Sequence, residues 1–321
     1  GVWGVASIAG PFLGGLLTDH FSWRWVFFVN VPVGLVACFI IGRFLREPQS
    51  EGVRPRGVDF AGGAVLIVAV VLLLVGLVGS DWHVQGRLGL VMGGVAGLIV
   101  FGWIERRAED PMIPLGLFRN RIFLASFITG LLAGMAMFGA ISFIPLFVQA
   151  ILGTDATAAG SVLTPFMLAW VLCSVFGARL LLHQSVRSIV LTGGVALSVG
   201  FFLFTRLGIA SSRPEVMVAM AVGGAGMGLI MAPLLIAVQH TVPRNQLGVV
   251  TSVTMFSRTI GGAIGVGILG AVMARILRGE LLSLVGRTAG ATLGAFVENP
   301  EVLLHPAARA GLPPSLLVGL Q

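Results

Sequence analysis

Nine apolar stretches, each roughly twenty residues long and separated by short arginine-bearing loops, fill almost the whole chain. Two of them, Ala64–Gly79 and Ser188–Leu203, contain no charge at all. A helix must run for about twenty such residues to cross about 30 Å of hydrocarbon, because each residue advances it about 1.5 Å. Backbone groups in lipid have no water to bond, so apolar runs of this length and number specify an all-α, polytopic helical membrane protein. Composition agrees, since 56% of residues are hydrophobic and 10% charged, against roughly 25% charged in a soluble domain.

The expected spans are Gly1–Leu17, Val26–Gly42, Phe60–Gly79, Leu88–Ile104, Ile122–Leu152, Ala158–Leu182, Ser188–Thr205, Val216–Val238 and Leu247–Leu277. Alternate loops carry unequal numbers of arginines. Eleven lie on one side (Arg43, Arg46, Arg54, Arg56, Arg106, Arg107, Arg119, Arg121, Arg179, Arg187 and Arg244). The short loops of the other side hold Arg24, Arg87, Arg206 and Arg213, and the tail region adds Arg275, Arg278, Arg287 and Arg309, which narrows the contrast without reversing it. Positively charged loops stay inside, so the richer side is expected to be cytoplasmic and the polar tail after Leu277 to lie outside. The chain starts within an apolar helix without a methionine, and its last residues, LLVGLQ, read as a span barely begun. Both ends are therefore expected to belong to a longer protein.

Several function classes are disfavoured. The formal charge of +7 comes from arginines scattered among loops, with no basic cluster interleaved with aromatics, so no nucleic-acid partner is expected. Cys38 and Cys173 fall inside apolar runs and read as unpaired structural thiols. His20, His83, His183, His240 and His305 have no metal-ligand spacing, and no cofactor motif is present. Ser80, Asp81 and His83 lie too close in sequence to form a triad, and no nucleophile elbow surrounds them. No enzyme is expected.

Arg258 is the sharpest single residue. It stands about eleven residues into the last span among apolar and small neighbours, where an ionisable group costs several kcal/mol unless it faces a cavity or a partner. The competing reading is an arginine that snorkels to the cytoplasmic interface. Gly10, Pro11, Gly14 and Gly15 (GPFLGG) form a packing device, because proline bends the helix and the glycines leave a groove for a neighbour. Gly93/Gly97 and Gly224/Gly228 read as plain packing pairs. Phe143, Phe147, Met227 and Met231 suit either an adaptable apolar cavity wall or ordinary core. Asn30, Gln149 and Gln239, at span ends, suit interfacial hydrogen bonding.

Four segments together name a family. They are GPFLGGL followed by WRWVFFVNVPVG, then VDFAGG, then ERRAEDPMIPLGLFRNRIF, and last FIPLFVQAILG with GVVTSVTMFSRTIGGAIGVG. In these the chain closely resembles the fourteen-helix drug:proton antiporter branch of the major facilitator superfamily, over residues 1–277 and from about the fifth to the thirteenth helix. The resemblance implies that residues 1–57 are the last two helices of the N-terminal bundle with a cytoplasmic loop. Residues 58–121 would be the inserted linker pair, 122–277 five helices of the C-terminal bundle, and 278–321 an extracytoplasmic tail before a last helix. It also implies that Gly10, Pro11, Gly14 and Gly15 are the antiporter motif that packs the fifth helix against the opposite half and seals the outer gate. Ala6 stands where the pattern prefers glycine. Gln149, in PLFVQ, would line the central pathway, and an arginine is carried at the place of Arg258.

The function so implied is secondary, proton-coupled efflux of hydrophobic or cationic small molecules through a bacterial plasma membrane. Lipid, such substrates and protons would be the partners, and the proton gradient rather than a cofactor the driving force. Every acidic residue lies in a loop, at a span edge or in the tail, so the coupling carboxylate is expected on helices outside this chain, which alone is not expected to transport. The sequence is silent on a periplasmic adaptor and on cargo identity. A non-transporting membrane scaffold or assembly component is the alternative reading.

Overall fold

The computed structural model describes residues 10, 13–45, 59–78, 84–108 and 111–287. The chain runs through α1 (residues 13–20), α2 (Trp25–Phe28), α3 (Asn30–Phe44), α4 (Phe60–Val78), α5 (Val84–Glu105) and a 3-10 turn, Leu115–Arg119. It continues with α6 (Arg121–Leu152), α7 (Ala156–Ser161), α8 (Leu163–Leu180), α9 (Val186–Phe204), α10 (Arg213–His240) and α11 (Leu247–Arg287). The described residues contain eight spans long and apolar enough to cross a membrane. They correspond to the second to ninth expected stretches, and Gly1–Leu17 lies largely outside the described residues. The protein is a polytopic helical membrane protein.

Two expected spans are each broken into a short and a long piece, and one rule explains both. Proline has no N–H, so it leaves the carbonyl four residues upstream without its helical partner. Pro32 frees Phe28, where α2 ends, and Pro165 frees Ser161, where α7 ends. The last span departs in the other direction. Helix α11 continues to Arg287, ten residues into what the sequence reads as tail.

Capping residues define the ends of α6. The Asn120 side chain accepts from the Ile122 N–H at 2.9 Å and the Phe123 N–H at 3.4 Å, and Gly153 closes the helix in the left-handed region at φ 66°. Substituting Gly153→Ala is expected to cost about 1–2 kcal/mol, read as a lower unfolding midpoint in detergent, because a Cβ disfavours that conformation.

Close backbone approach organises the interior. A Cβ on Gly224 would collide with the Phe166 carbonyl, and one on Gly228 would stand 2.5 Å from the Trp170 carbonyl oxygen, so α10 lies directly on α8. Gly200 meets Gly223 at 2.6 Å in the same sense and joins α9 to α10. A second group forms where Gly134 of α6 abuts the Arg258 carbonyl, and Gly261 of α11 abuts that of Leu131. Helices α4 and α5 make a hairpin in which Gly97 would meet the Ala69 Cβ at 2.8 Å, and α4 rests against α11. Contact between α10 and α11 is far sparser than within the first two groups.

The order of these pairs also fixes direction. Matched positions rise together along α8 and α10, and along α6 and α11, so each pair is parallel. Members of each pair are separated by an even number of crossings, which is the parity required if every span crosses once. At the base expected to face the cytoplasm, Leu117, Phe123, Val238, Val250 and Val253 form a compact cluster. Phe118 packs edge-on against Phe123 and Phe127 at 5.2 Å. Residues 111–123 thus serve as the floor from which α6 rises.

Candidate functional site

Helices α8, α10 and α11 part in the half of the bundle nearer that floor, leaving a cleft of about 480 Å³. Trp170, Val171, Ser174 and Val175 line it from α8, Met231, Ala232 and Leu235 from α10, and Thr254, Met255 and Arg258 from α11. The backbone of Arg258 is fixed because its carbonyl sits against Gly134, and the side chain leaves on the cleft side. There Nη2 lies 3.2 Å from the Met255 sulfur, and the guanidinium carbon stands 5.9 Å from the centre of the Trp170 ring. The ring face offers a cation partial negative charge without a carboxylate, and sulfur is a weak acceptor. Both are soft partners that leave the guanidinium's other donors available.

The neighbouring hydroxyls are occupied within α11. Thr254 Oγ1 donates to the Val250 carbonyl at 2.8 Å, Ser257 Oγ to that of Thr254 at 2.8 Å, and Thr259 Oγ1 to that of Met255 at 3.1 Å. Such back-bonding satisfies polar groups where no water is at hand. Arg258 is therefore the strongest hydrogen-bond donor in the cleft wall. The site can hold a molecule that is mostly apolar and touches one cation.

The site residues expected from sequence are only partly brought together. Arg258 and Met231 share the cleft. Met227, one turn before Met231, is fully buried in the core with Phe166 and Trp170, so the cavity-wall reading gives way there to the core reading. Phe147 packs against that same core, and the Phe143 ring stands 3.8 Å from where a Cβ on Gly270 of α11 would lie. Neither phenylalanine lines the cleft, and neither does Gln149, which is half-buried on α6. Gln239 donates from Nε2 to Thr251 Oγ1 at 3.0 Å and ties α10 to α11, while Asn30, at the start of α3, donates from Nδ2 to the Val26 carbonyl of α2 at 2.8 Å. Trp170, Ser174 and Thr254 carry no local sequence signal, since a cleft wall assembled from three separate helices has no spacing to read.

The segment that holds Gly10, Pro11, Gly14 and Gly15 is described only in part. Gly10 is exposed, Gly15 is buried and Pro11 lies outside the described residues; among the described residues a Cβ on Gly10 or Gly14 would meet nothing within 4 Å. The end of α1 reaches the start of α7. Asp19 Oδ2 accepts from the Thr157 N–H at 2.9 Å and from the Thr157 hydroxyl, beside Asp155, which caps the same helix at the Ala158 N–H. A carboxylate at a helix start is favourable, so this polar contact joins the end of α1 to the start of α7.

The sequence profile of the Major Facilitator Superfamily matches residues 1–266. The chain belongs to the major facilitator superfamily. Among the relatives of this superfamily member, Multidrug transporter protein MdtP of Bacillus subtilis is 38% identical over 279 residues, covering 85% of this chain and 51% of the relative. Multidrug resistance protein 3 of Bacillus subtilis is 31% identical over 98% of this chain and 63% of its own length. Multidrug resistance protein Stp of Mycobacterium tuberculosis is 29% identical over 88% of this chain and 53% of its own length. The chain thus spans about half to two thirds of the length of the curated relatives it matches. These relatives are transporters rather than enzymes.

Proposed function

We propose that the chain is part of a proton-coupled exporter of hydrophobic and cationic small molecules, working in a bacterial plasma membrane. The observation that carries this reading is Arg258, held by its backbone against Gly134 and turned into a largely apolar cleft between three helices. Relatives named as multidrug transporters supply the cargo class. In this reading residues 122–277 contribute five helices of the C-terminal bundle, residues 58–121 the inserted pair, and residues 1–57 the end of the N-terminal bundle. Residues 278–321 lie on the outer side, with α11 projecting into them. Gln149, Phe143 and Phe147 join the pathway when the two bundles rock, and Gly10, Pro11, Gly14 and Gly15 pack the outer gate.

A lone guanidinium would repel cationic cargo. The reading therefore requires a carboxylate across the cleft, carried by helices beyond those described, and that group is also where the coupling proton binds. The complete transporter, expressed in an efflux-deficient bacterium, should lower accumulation of a fluorescent lipophilic cation such as ethidium. A protonophore should abolish that effect. Accumulation equal to that of empty cells would overturn the efflux reading, and export indifferent to the protonophore would overturn the coupling.

A contact between the two halves gives a separate prediction. If the Asp19–Thr157 contact holds the outer ends together, Asp19→Cys with Thr157→Cys should cross-link on oxidation and stop efflux until reduced. Full efflux in the cross-linked protein would show that these ends need not part during the cycle.

A further inference from the structure

Two carboxyl groups at the base of the α4–α5 hairpin take no part in the cleft. Asp59 caps α4, its Oδ1 accepting from the Gly62 N–H at 2.8 Å and its backbone carbonyl from the Gly63 N–H at 3.1 Å. Its other oxygen, Oδ2, occupies the place where a Cβ on residue 62 would stand, so glycine there is what lets the carboxyl lie inward. Glu105, the last residue of α5, is 3% exposed, and its Oε1 accepts the Ile113 N–H. Met112 covers the site from the same turn, its sulfur 3.4 Å from the Cβ position of Gly63.

The carboxyl groups of Asp59 and Glu105 lie within hydrogen-bonding reach of each other. Asp59 Oδ2 and Glu105 Oε2 are buried and have no donor among the described residues. Two carboxylates in contact and out of water cannot both remain ionised, so the pair needs a positive species between them. No described arginine provides it. Of the charged residues on adjoining segments, Arg107 lies over the Trp103 ring at 4.0 Å, and Arg106, Arg119 and Arg121 bond neither carboxyl. Residues 60–78 of α4 carry no charge, and α11, which packs on α4, has none over residues 247–257. Among the described groups Asp59 is the charge that bears on Glu105.

We propose that Asp59 and Glu105 hold a single proton between them, as an acid–carboxylate hydrogen bond that fastens the start of α4 to the end of α5. Through Ile113 the same bond secures the turn that leads into α6. The proton comes from bulk water and bridges the two orphaned oxygens, while Asp59 Oδ1 and Glu105 Oε1 keep their backbone donors. This site is separate from the cleft, and its proton is retained by the folded protein rather than passed across the membrane.

Linkage gives the sign. The folded protein keeps a proton that the unfolded chain releases near neutral pH, so stability must fall as rising pH draws that proton away. The isosteric amides separate this from simple burial. Glu105→Gln keeps the acceptor for Ile113 and offers Asp59 an N–H in place of the proton, and Asp59→Asn does the converse.

In lipid nanodiscs at about pH 7.5, where free carboxyl groups are ionised, wild type should show the infrared carbonyl band of one protonated carboxyl. Either single variant should lack it. Between about pH 6 and about pH 9 the wild-type melting midpoint should fall by several degrees more than that of either variant. Absence of the band, or equal pH slopes in all three proteins, would overturn the proposal. So would a divalent cation that raises the wild-type midpoint at high pH without the band, which would assign a metal ion instead. The infrared measurement on wild type decides the matter should a variant fail to fold.

Discussion

Arg258→Ala, made in the complete transporter, is expected to bring efflux of a lipophilic cation down to the level of empty cells while membrane insertion persists. The backbone at this position is anchored on Gly134, so removing the side chain leaves the helix in place and strips the cleft wall of its one cation. An unpartnered charge in hydrocarbon costs several kcal/mol, and cargo or a facing carboxylate would recover that cost by pairing with it. Arg258→Lys should restore little. An ammonium group has no planar face to lay along Trp170, and its point charge is more strongly hydrated. Measured rates at equal expression decide the matter. Wild-type efflux from the alanine variant would mean that the guanidinium only snorkels towards the interface.

The second large effect is expected at the glycines between helices. Gly224→Val would drive a side chain into the Phe166 carbonyl and part α10 from α8, where two backbones now touch. Overpacking of this kind costs about 1–3 kcal/mol even where side chains can yield, and here the obstacle is backbone. The variant should be recovered in low yield, with an unfolding midpoint well below wild type in the same detergent. Gly89→Val is the control, because a Cβ there would meet nothing within 4 Å. Equal midpoints for the two variants would show that close approach at Gly224 is not what holds α8 and α10 together.

Much of the architecture was legible because the membrane imposes it. Apolar length gave the spans of α4, α5, α9 and α10 to within a few residues, since little but lipid thickness sets those ends. Where backbone chemistry intervenes, hydropathy is blind. Pro32 and Pro165 lie inside smooth apolar runs, yet each acts four residues upstream, where nothing in the local composition marks a break. Arg258 announced itself as a charge out of place. Met227 and Met231 read alike, and only the packing of α10 on α8 decides that one is core and the other cleft wall. Asp59 and Glu105 were visible only as acidic residues at span edges. Their meeting depends on the hairpin closing through Ala69 and Gly97, and on Gly62 leaving room for a carboxyl.

The seating of Arg258 against Gly134 has a mechanical consequence. A side chain that enters a groove can slide or rotate within it, but a carbonyl pressed on a Cα has no such slack. Helices α6 and α11 are therefore joined backbone to backbone, while Met137, Ala140 and Val148 of α6 also enter the core that holds Phe166 and Trp170 of α8 and Met220 and Met227 of α10. The cleft lies along the sparse seam where α10 borders α11, and the hydrogen bond from Gln239 to Thr251 pins that seam near its lower end. Displacing Arg258 by a given distance must carry α6 the same way, which ties the floor segment before Arg121 to the width of the cleft.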